Sequence, residues 1–236
     1  MSIREKIIIY SAYEYDTGKK VCRILTEKNE FRTVFFNKKF ISDVEPFVYG
    51  EIFYKNEVGQ NPTSFYSIER FENITDNFEK FVLISFFFEL LNKMEVDDER
   101  IFSILKLNLS IINKNINNVN NKLYLLYILS LCSILSGYMH LTEVCPICSK
   151  EFSGNAFFVS ERHCFVCSNH KSNNRYSVNE NFLNYLKILR VKYNHNVILP
   201  KIDMNEIDKY NRFFDNFYTN IFENKKPNIF KFIKYI

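Results

Sequence analysis

Residues 145–170 read CPICSKEFSGNAFFVSERHCFVCSNH, and two C-x2-C pairs in this stretch bracket a short aromatic segment. The pairs are Cys145 with Cys148 and Cys164 with Cys167, which gives the spacing C-x2-C-x15-C-x2-C. Each pair is typical of a tight knuckle, and four thiolates satisfy tetrahedral Zn²⁺ without leaving an open position. The sequence therefore predicts one structural zinc ion held by these four cysteines, and a closed shell of this kind cannot activate water.

Other uses of these thiols agree less well with the pattern. A zinc deaminase needs His-x-Glu ahead of Pro-Cys-x-x-Cys, whereas His140 is followed by Leu141 and the proline, Pro146, lies inside the first pair. Thioredoxin-like chemistry uses one C-x2-C that opens a helix after a strand, not two matched pairs. Thiol exchange stays open as an alternative that metal content would exclude. His163 and His170 are able to replace a thiolate, but with four cysteines present they are expected at the surface.

The composition is that of a globular protein with a sizeable core. The chain has 236 residues, of which 47% are hydrophobic, a formal net charge of +4 and six cysteines. The apolar run near the start, IIIY, is too short for a signal peptide, so a cytoplasmic location is expected. Thiols are kept reduced in the cytoplasm, and the cysteines therefore favour a metal over disulfides. Cys22 and Cys132 stand alone in apolar patterns and are expected to be buried.

One segment has the composition of a membrane span. Residues 123–141, LYLLYILSLCSILSGYMHL, contain no Asp, Glu, Lys or Arg, and their length is close to the lower limit for a bilayer. However, the segment contains three Ser, a Gly and a His, and it leads within a few residues into the first C-x2-C. The sequence therefore predicts a buried core helix and no membrane association.

Two kinds of periodicity divide the chain. Residues 7–72 consist of five runs rich in β-branched and aromatic residues, separated by turn signals such as DTG, and these predict five strands with short connections. From Asp76 onward the apolar residues recur at helical spacing. The predicted fold class is α+β. It comprises a five-stranded OB-type β-barrel over residues 1–75, a nucleic-acid-binding domain, and an all-helical domain over residues 76–236 with the zinc knuckles (145–167) inserted.

Positive charge is concentrated at the strand end of the chain. Residues 1–41 hold nine basic and five acidic residues, whereas residues 42–100 are acidic overall. On a small barrel, such cations follow the phosphates of a single strand while rings such as Tyr13, Tyr15 or Phe36 stack on bases. The same composition fits a solvated strand face equally well, and both interpretations stay open at this point.

Motifs of enzymatic catalysis are absent from the sequence. It contains no Gly-rich phosphate loop, no Gly-x-Ser-x-Gly and no His-Glu-x-x-His. The acidic cluster Asp97, Asp98 and Glu99 stands at the predicted start of a helix, where negative charge is favourable. The sequence therefore predicts a protein that is not an enzyme.

The order of these parts resembles the RecO family of bacterial DNA-repair and recombination mediators over essentially the whole chain. RILTEKNEFRTVFFNKKF, from Arg23, is similar to the second and third barrel strands of that family. FFFELLNKMEVDDERIFSILKLNL, from Phe86, is similar to its Phe-Glu-Leu helix and the next helix. LYILSLCSILSGYMHLTEVCPIC, from Leu126, is similar to its long core helix, which ends in Gly-Tyr before the first C-x2-C.

The resemblance also bears on individual positions. Lys38 and Lys39 match the basic pair of the family, whereas Asn29 and Asn37 stand where the family usually has glycine. Asn tolerates left-handed backbone, so the fold is expected to be kept while the path of the DNA-facing loop changes. The residues predicted to contact DNA phosphates lie on adjacent predicted strands or the loop after them: Lys19, Lys20, Arg23, Arg32, Lys38 and Lys39.

The function implied by the resemblance is non-enzymatic. Proteins of this family bind single- and double-stranded DNA, promote annealing of complementary strands, and act in DNA repair and homologous recombination. The implied partners are RecR and the single-strand-binding protein, with which the protein would assist RecA loading near the nucleoid. A zinc-ribbon regulatory or RNA-binding module is the alternative, and preference for single-stranded DNA together with accelerated annealing would distinguish the two.

Overall fold

The computed structural model describes residues 3–16, 18–37, 43–55, 58–59, 61–114, 120–171, 176–193 and 197–222. Within these residues the chain forms a five-stranded antiparallel sheet, a three-stranded antiparallel sheet and six helices. The predicted α+β class and its five strands are therefore confirmed.

The first of two compact units joins the larger sheet to three helices. Its elements are β1 (Ile3–Asp16), β2 (Lys19–Thr26), β3 (Phe31–Asn37), β4 (Val48–Tyr54), β5 (Ser64–Arg70), α1 (Glu72–Thr75), α2 (Phe78–Lys93) and α3 (Ile101–Lys114). The strand order is β3-β2-β1-β4-β5, so β3 and β5 are the edge strands. In the part of the chain that the structure describes, no backbone pairing joins these two edges, and the sheet is not closed.

One face of this sheet encloses a core of its own. Alternation along the strands puts apolar side chains from all five strands on that face. The buried cluster consists of Ile7, Ile9, Cys22, Ile24, Val34, Phe36, Val44, Ile52 and Tyr54, with Phe65 packed against it. The rings of Phe36 and Phe65, which belong to the two edge strands, lie 5.6 Å apart. The sheet is therefore curved enough to bring its edges into side-chain contact.

The opposite face of the sheet is covered in part by helices. Tyr10 of β1 stacks on Phe88 of α2 at 4.9 Å, and Tyr49 of β4 meets Phe102 of α3 edge to face at 6.2 Å. Because α2 and α3 pack on the sheet, this compact unit extends beyond residue 75, where the sequence analysis ended the first domain.

Strands β4 and β5 leave no room for a side chain at Gly50. A Cβ atom at this position would lie 2.5 Å from the carbonyl oxygen of Tyr66 and 2.7 Å from the ring of Phe65. The pairing of β4 with β5 also shifts register between Tyr49 and Gly50, as at a β-bulge. Only glycine fits this position while the two strands stay paired.

The turn between β2 and β3 is fixed by Asn29. Its backbone is left-handed, with φ 64°, as expected for an Asn in place of glycine. Its side-chain amide donates a hydrogen bond to the carbonyl oxygen of Glu99 at 2.7 Å and accepts one from the N–H of Phe102 at 2.8 Å. Asn29 thus satisfies an otherwise unpaired N–H in the first turn of α3, which glycine cannot do.

The second compact unit contains the remaining elements. These are α4 (Asn121–Leu135), β6 (Ala156–Val159), β7 (Cys164–Cys167), β8 (Ser177–Val178), α5 (Glu180–Lys192) and α6 (Met204–Ile221), with the short sheet ordered β7-β6-β8. Helix α4 is buried, as predicted, and Tyr218 of α6 donates to the carbonyl oxygen of Leu129 at 2.8 Å. None of the described helices combines the length and the apolar character needed to cross a membrane.

Candidate functional site

Four potential metal ligands meet in the second compact unit: Cys145, Cys148, Cys167 and His170. One ligand atom from each residue lies within 4.8 Å of the others. The sulfur atoms of Cys148 and Cys167 are 3.8 Å apart. Nδ1 of His170 lies 3.3 Å from the sulfur of Cys167 and 3.9 Å from that of Cys145. This group can hold a metal ion.

The separations fit tetrahedral coordination. For zinc, metal–sulfur distances of about 2.3 Å and a metal–nitrogen distance of about 2.0 Å place two sulfurs about 3.8 Å apart, and sulfur and nitrogen about 3.5 Å apart. The sulfur–sulfur distance here is 3.8 Å, and the two sulfur–nitrogen distances are 3.3 and 3.9 Å. Three thiolates and one imidazole fill four positions, so an ion held in this way has no open site for substrate or water.

The first half of the site is a tight loop around Cys145 and Cys148. The N–H of Cys145 donates to the carbonyl oxygen of Lys150 at 2.9 Å, and the N–H of Ser149 donates back to the carbonyl oxygen of Cys145 at 2.8 Å. Ser149 has left-handed backbone, with φ 58°, which reverses the chain directly after the second thiol. Both hydrogen bonds join Cys145 to the residues just after Cys148, so the backbone closes the loop that carries the two thiols.

The second half of the site is formed by Cys167 and His170. Cys167 ends β7, and a 3-10 turn, Ser168–His170, follows directly. This turn brings the imidazole back over the thiol that precedes it, and the N–H of Cys167 also donates to the sulfur of Cys145 at 3.5 Å. The ligand spacing is thus C-x2-C followed by C-x2-H.

Cys164, predicted as a ligand, is not part of this group, and His170, expected at the surface, takes its place. Cys164 and Cys167 are the two ends of strand β7, and residues three apart in a strand point to opposite faces. Cys164 therefore stands apart from the four-residue group although it shares a buried cluster with Cys145, Val159, Val166 and Cys167. Burial raises the pKa of its thiol.

The thiols differ in their readiness to ionise. Burial opposes ionisation of Cys145, but hydrogen bonds from the backbone N–H groups of Cys167, Ile147 and Cys148 outweigh it and lower the pKa to about 6. Burial raises the pKa of Cys167. Because thiolates, not thiols, bind metals, backbone N–H groups from both halves of the site prepare Cys145 for an ion.

Helix α5 braces the segment that leads into the first knuckle. Lys187 donates to the carbonyl oxygen of Glu143 at 3.3 Å and forms an ion pair with the carboxylate of the same residue at 3.1 Å. Arg190 donates to the carbonyl oxygen of Leu141. These two cations of α5 therefore hold the segment that precedes Cys145.

The cations predicted to contact DNA lie in different surroundings. Lys19 is exposed, and Arg23 is half-exposed with Glu89 at 3.6 Å. Lys20 is only 8% exposed, because its ammonium donates to the carbonyl oxygen of Val44 at 3.0 Å and to the carboxylate of Glu45 at 2.7 Å. Arg32 is paired with the buried carboxylate of Glu5. Lys38 and Lys39 lie outside the described residues.

Rings and a cation share the outer surface of β1, β2 and β3. Tyr13 lies opposite Val21, which lies opposite Phe35, and Tyr15 meets the ring of Phe35 at 6.5 Å. Tyr13 is 50% and Tyr15 69% exposed, and Lys19 follows on the same face of β2. We refer to Tyr13, Tyr15, Lys19 and Phe35 as the aromatic strip. Phe36, which the sequence analysis grouped with these tyrosines, is fully buried because alternation turns it into the core.

No model of a known protein family matches the chain, and a search of curated proteins finds no match either.

Proposed function

We propose that this chain is a non-enzymatic DNA-binding protein that acts as a recombination mediator of the RecO type. It binds single- and double-stranded DNA, promotes annealing of complementary strands, and works with RecR and the single-strand-binding protein to load RecA during DNA repair. This activity belongs to the cytoplasm, at the nucleoid.

The observation that carries the proposal is the aromatic strip. Exposed tyrosines are amphipathic, and two of them beside a half-buried phenylalanine form a surface on which successive bases stack. Lys19 lies on the same face, where its charge is able to meet a phosphate. Base stacking is tolerant of sequence, which suits a protein that must handle any single strand.

The shape of the sheet supports an OB-type barrel beneath this strip. The order β3-β2-β1-β4-β5 places β1 at the centre, and the Phe36–Phe65 contact brings the two edge strands together around one core. Glu5 of β1 and Arg32 of β3 also pair across the intervening β2 on the face that carries this core. In OB-folds the outer surface of the second and third strands binds oligonucleotides, and β2 and β3 carry part of the strip.

We assign the metal as one structural zinc ion. Three thiolates and an imidazole are a common zinc ligand set, and the spacing of the ligand atoms supports a tetrahedral ion. Cys145, Cys148, Cys167 and His170 would hold this ion and tie the first knuckle to the end of β7. When bound, zinc supplies a structural crosslink and no catalysis.

The test of the proposal is oligonucleotide binding by a Tyr13→Ala/Tyr15→Ala variant. Each lost stacking contact is worth about 1–3 kcal/mol, so the loss of two should lower affinity for an unstructured single strand at least about 30-fold and slow annealing. Tyr66→Ala is the matched control, since Tyr66 is 64% exposed on the same sheet but lies on β5. Equal binding by the wild type and the double variant would overturn the assignment of the strip.

A salt titration tests the lysines that follow β3. Neutralising Lys38 and Lys39 should weaken binding equally on all sequences and reduce the slope of log K against log salt by about 0.7 per lost contact on single strands. Lys28→Ala, an exposed cation in the β2–β3 turn, should leave the slope unchanged. If the titration lines of wild type and double variant stay parallel, these lysines are solvated and make no phosphate contact.

A zinc-ribbon regulatory or RNA-binding module is the second candidate. The observation that favours it is the short sheet β7-β6-β8, because its edge strand β7 leads directly into the C-x2-H half-site. RNA of the same sequence, compared with DNA in the same titration, separates the candidates: a mediator prefers the DNA strand and anneals it.

A further inference from the structure

A cavity of about 370 Å³ lies in the second compact unit, and none of the four metal ligands lines it. It is formed by Tyr138 in the segment after α4, by β6 and the turn that follows it, and by the last turns of α6. Its lining residues are Tyr138, Phe158, Ser160, Glu161, His163, Phe217, Asn220 and Ile221. The volume falls in the range of pockets that hold small organic groups.

The walls of the cavity are mainly rings. Phe158 and Phe217 are buried and meet at 5.4 Å, while Tyr138, which is 37% exposed, meets the imidazole of His163 at 5.7 Å. Four aromatic side chains therefore surround a space suited to a flat group. Aromatic faces of this kind stabilise a planar ring by stacking.

The rim of the cavity carries hydrogen-bonding groups. Glu161 and Asn220 are exposed and Ser160 is half-exposed, so a carboxylate, an amide and a hydroxyl surround the opening. The carboxylate disfavours an anionic occupant and accepts hydrogen bonds from N–H groups. A ligand that is apolar on its faces and carries amino groups at its edge matches both the walls and the rim.

The backbone holds this rim in an uncommon conformation. His163 is left-handed, with φ 51°. Its N–H donates to the carbonyl oxygen of Ser160 at 3.2 Å, and its own carbonyl oxygen accepts a hydrogen bond from the N–H of His140 at 2.6 Å. Non-glycine residues in this region are uncommon and are concentrated at ligand sites.

We propose that this cavity binds a single unpaired nucleobase that carries an exocyclic amino group, such as adenine or cytosine. The ring lies between the aromatic walls, and Glu161 accepts the amino N–H while Asn220 reads the remaining edge. Arg162, exposed beside Glu161, supplies a cation for the attached phosphate. A phenylalanine or tyrosine side chain of a partner protein would pack between the aromatic walls, but it would offer no hydrogen-bonding groups to Asn220 and Glu161.

The test uses free nucleosides and the Tyr13→Ala/Tyr15→Ala protein, which removes stacking on the aromatic strip. Saturation-transfer NMR should show adenosine and cytidine receiving saturation in preference to thymidine. Tyr138→Ala should weaken this binding about 5- to 150-fold. Asn220→Ala should weaken it as well, whereas Asn216→Ala, one turn earlier on α6 and outside the cavity, should not. Glu161→Gln should reduce the preference over thymidine.

Two results would overturn the proposal. One is the absence of saturation transfer to any nucleoside; the other is stronger binding of N-acetyl-phenylalaninamide than of adenosine, which would make the cavity an anchor for a protein side chain. Because the probe is a nucleoside and the strip is already removed, the result does not depend on the DNA-binding role of the strip. The proposal for the cavity and the proposal for the aromatic strip can therefore be contradicted independently.

Discussion

The two compact units are stabilised by different means. The sheet of the first unit has apolar side chains buried on both faces, in the inner cluster around Ile9 and under the rings of α2 and α3. The metal-binding region of the second unit has strands of four, four and two residues, and its buried cluster consists largely of cysteines with two valines. Strands this short form few ladder hydrogen bonds, so we expect this region to depend on a crosslink more than the five-stranded sheet does.

Removal of the metal should have the largest effect, and the effect should be confined to the metal-binding region. Structural zinc in small domains contributes about 10–16 kcal/mol, more than the net stability of most domains. A chelator, or Cys167→Ser, should therefore abolish hydrogen-exchange protection in residues 140–178 while strands β1–β5 keep theirs. Metal analysis should find one ion in the wild type and none in the variant.

The matched control for this experiment is Cys164→Ser. Cys164 is buried but stands outside the ligand group, so this variant should keep one ion and most of its stability, and His170→Ala should behave like Cys167→Ser. Loss of the ion from Cys164→Ser with retention in His170→Ala would restore the four-cysteine site expected from the sequence.

The sheet unit has a polar weak point in the ion pair of Arg32 with Glu5. The Glu5 side chain is 4% exposed, so Arg32→Ala leaves a buried carboxylate without its partner, which costs about 3–5 kcal/mol. Arg23→Ala removes a half-exposed pair with Glu89 and should cost about 0–1 kcal/mol. Urea unfolding measures both. Equal losses of unfolding free energy would mean that Arg32 is a surface cation, and it would then again be a candidate for DNA contact.

The smallest expected effect concerns Asn29. If this residue only supplied left-handed backbone, Asn29→Gly would be neutral; because its amide also bonds Glu99 and Phe102, we expect a loss of about 1–2 kcal/mol. Asn29→Asp keeps the acceptor for the Phe102 N–H and should lose less. Thermal unfolding of the three proteins checks this order, and a glycine variant as stable as the wild type would contradict it.

The parts of the fold that local patterns determine were predictable. Alternation and turn residues define the five strands, and Cys145 and Cys148 form a knuckle whose determinants all lie within six residues. Alternation does not tell which face is buried, so Phe36 was grouped with the exposed rings although Phe35 occupies that surface. The number of strands can thus be predicted while the binding surface is not.

The ligand set shows a related limit of sequence patterns. Cys167 belongs to two overlapping patterns, C-x2-C with Cys164 and C-x2-H with His170, and spacing alone cannot choose between them. The signal that favours the pattern with His170 is the apolar CFVC run, which pairs with AFFV of β6 as a strand and so directs Cys164 and Cys167 to opposite faces.

Local sequence patterns also do not show which carboxylates pair with the cations predicted to contact DNA. Lys20 binds Glu45 and Arg32 binds Glu5, residues 25 and 27 positions away along the chain. A basic residue in a predicted strand is indistinguishable, in sequence, from one that a distant carboxylate will neutralise. Only the folded sheet separates the exposed Lys19 from the buried Lys20 beside it.

Gly50 affects how mutational data on this protein should be interpreted. Every side chain placed there collides with the backbone of Tyr66, although position 50 belongs neither to the aromatic strip nor to the metal site. A saturation screen that scores only DNA binding will rank position 50 beside true contact residues, because unfolded protein does not bind. Intolerance at this position reports the spacing between two strands, so a screen of this protein has to score folded protein and bound DNA separately.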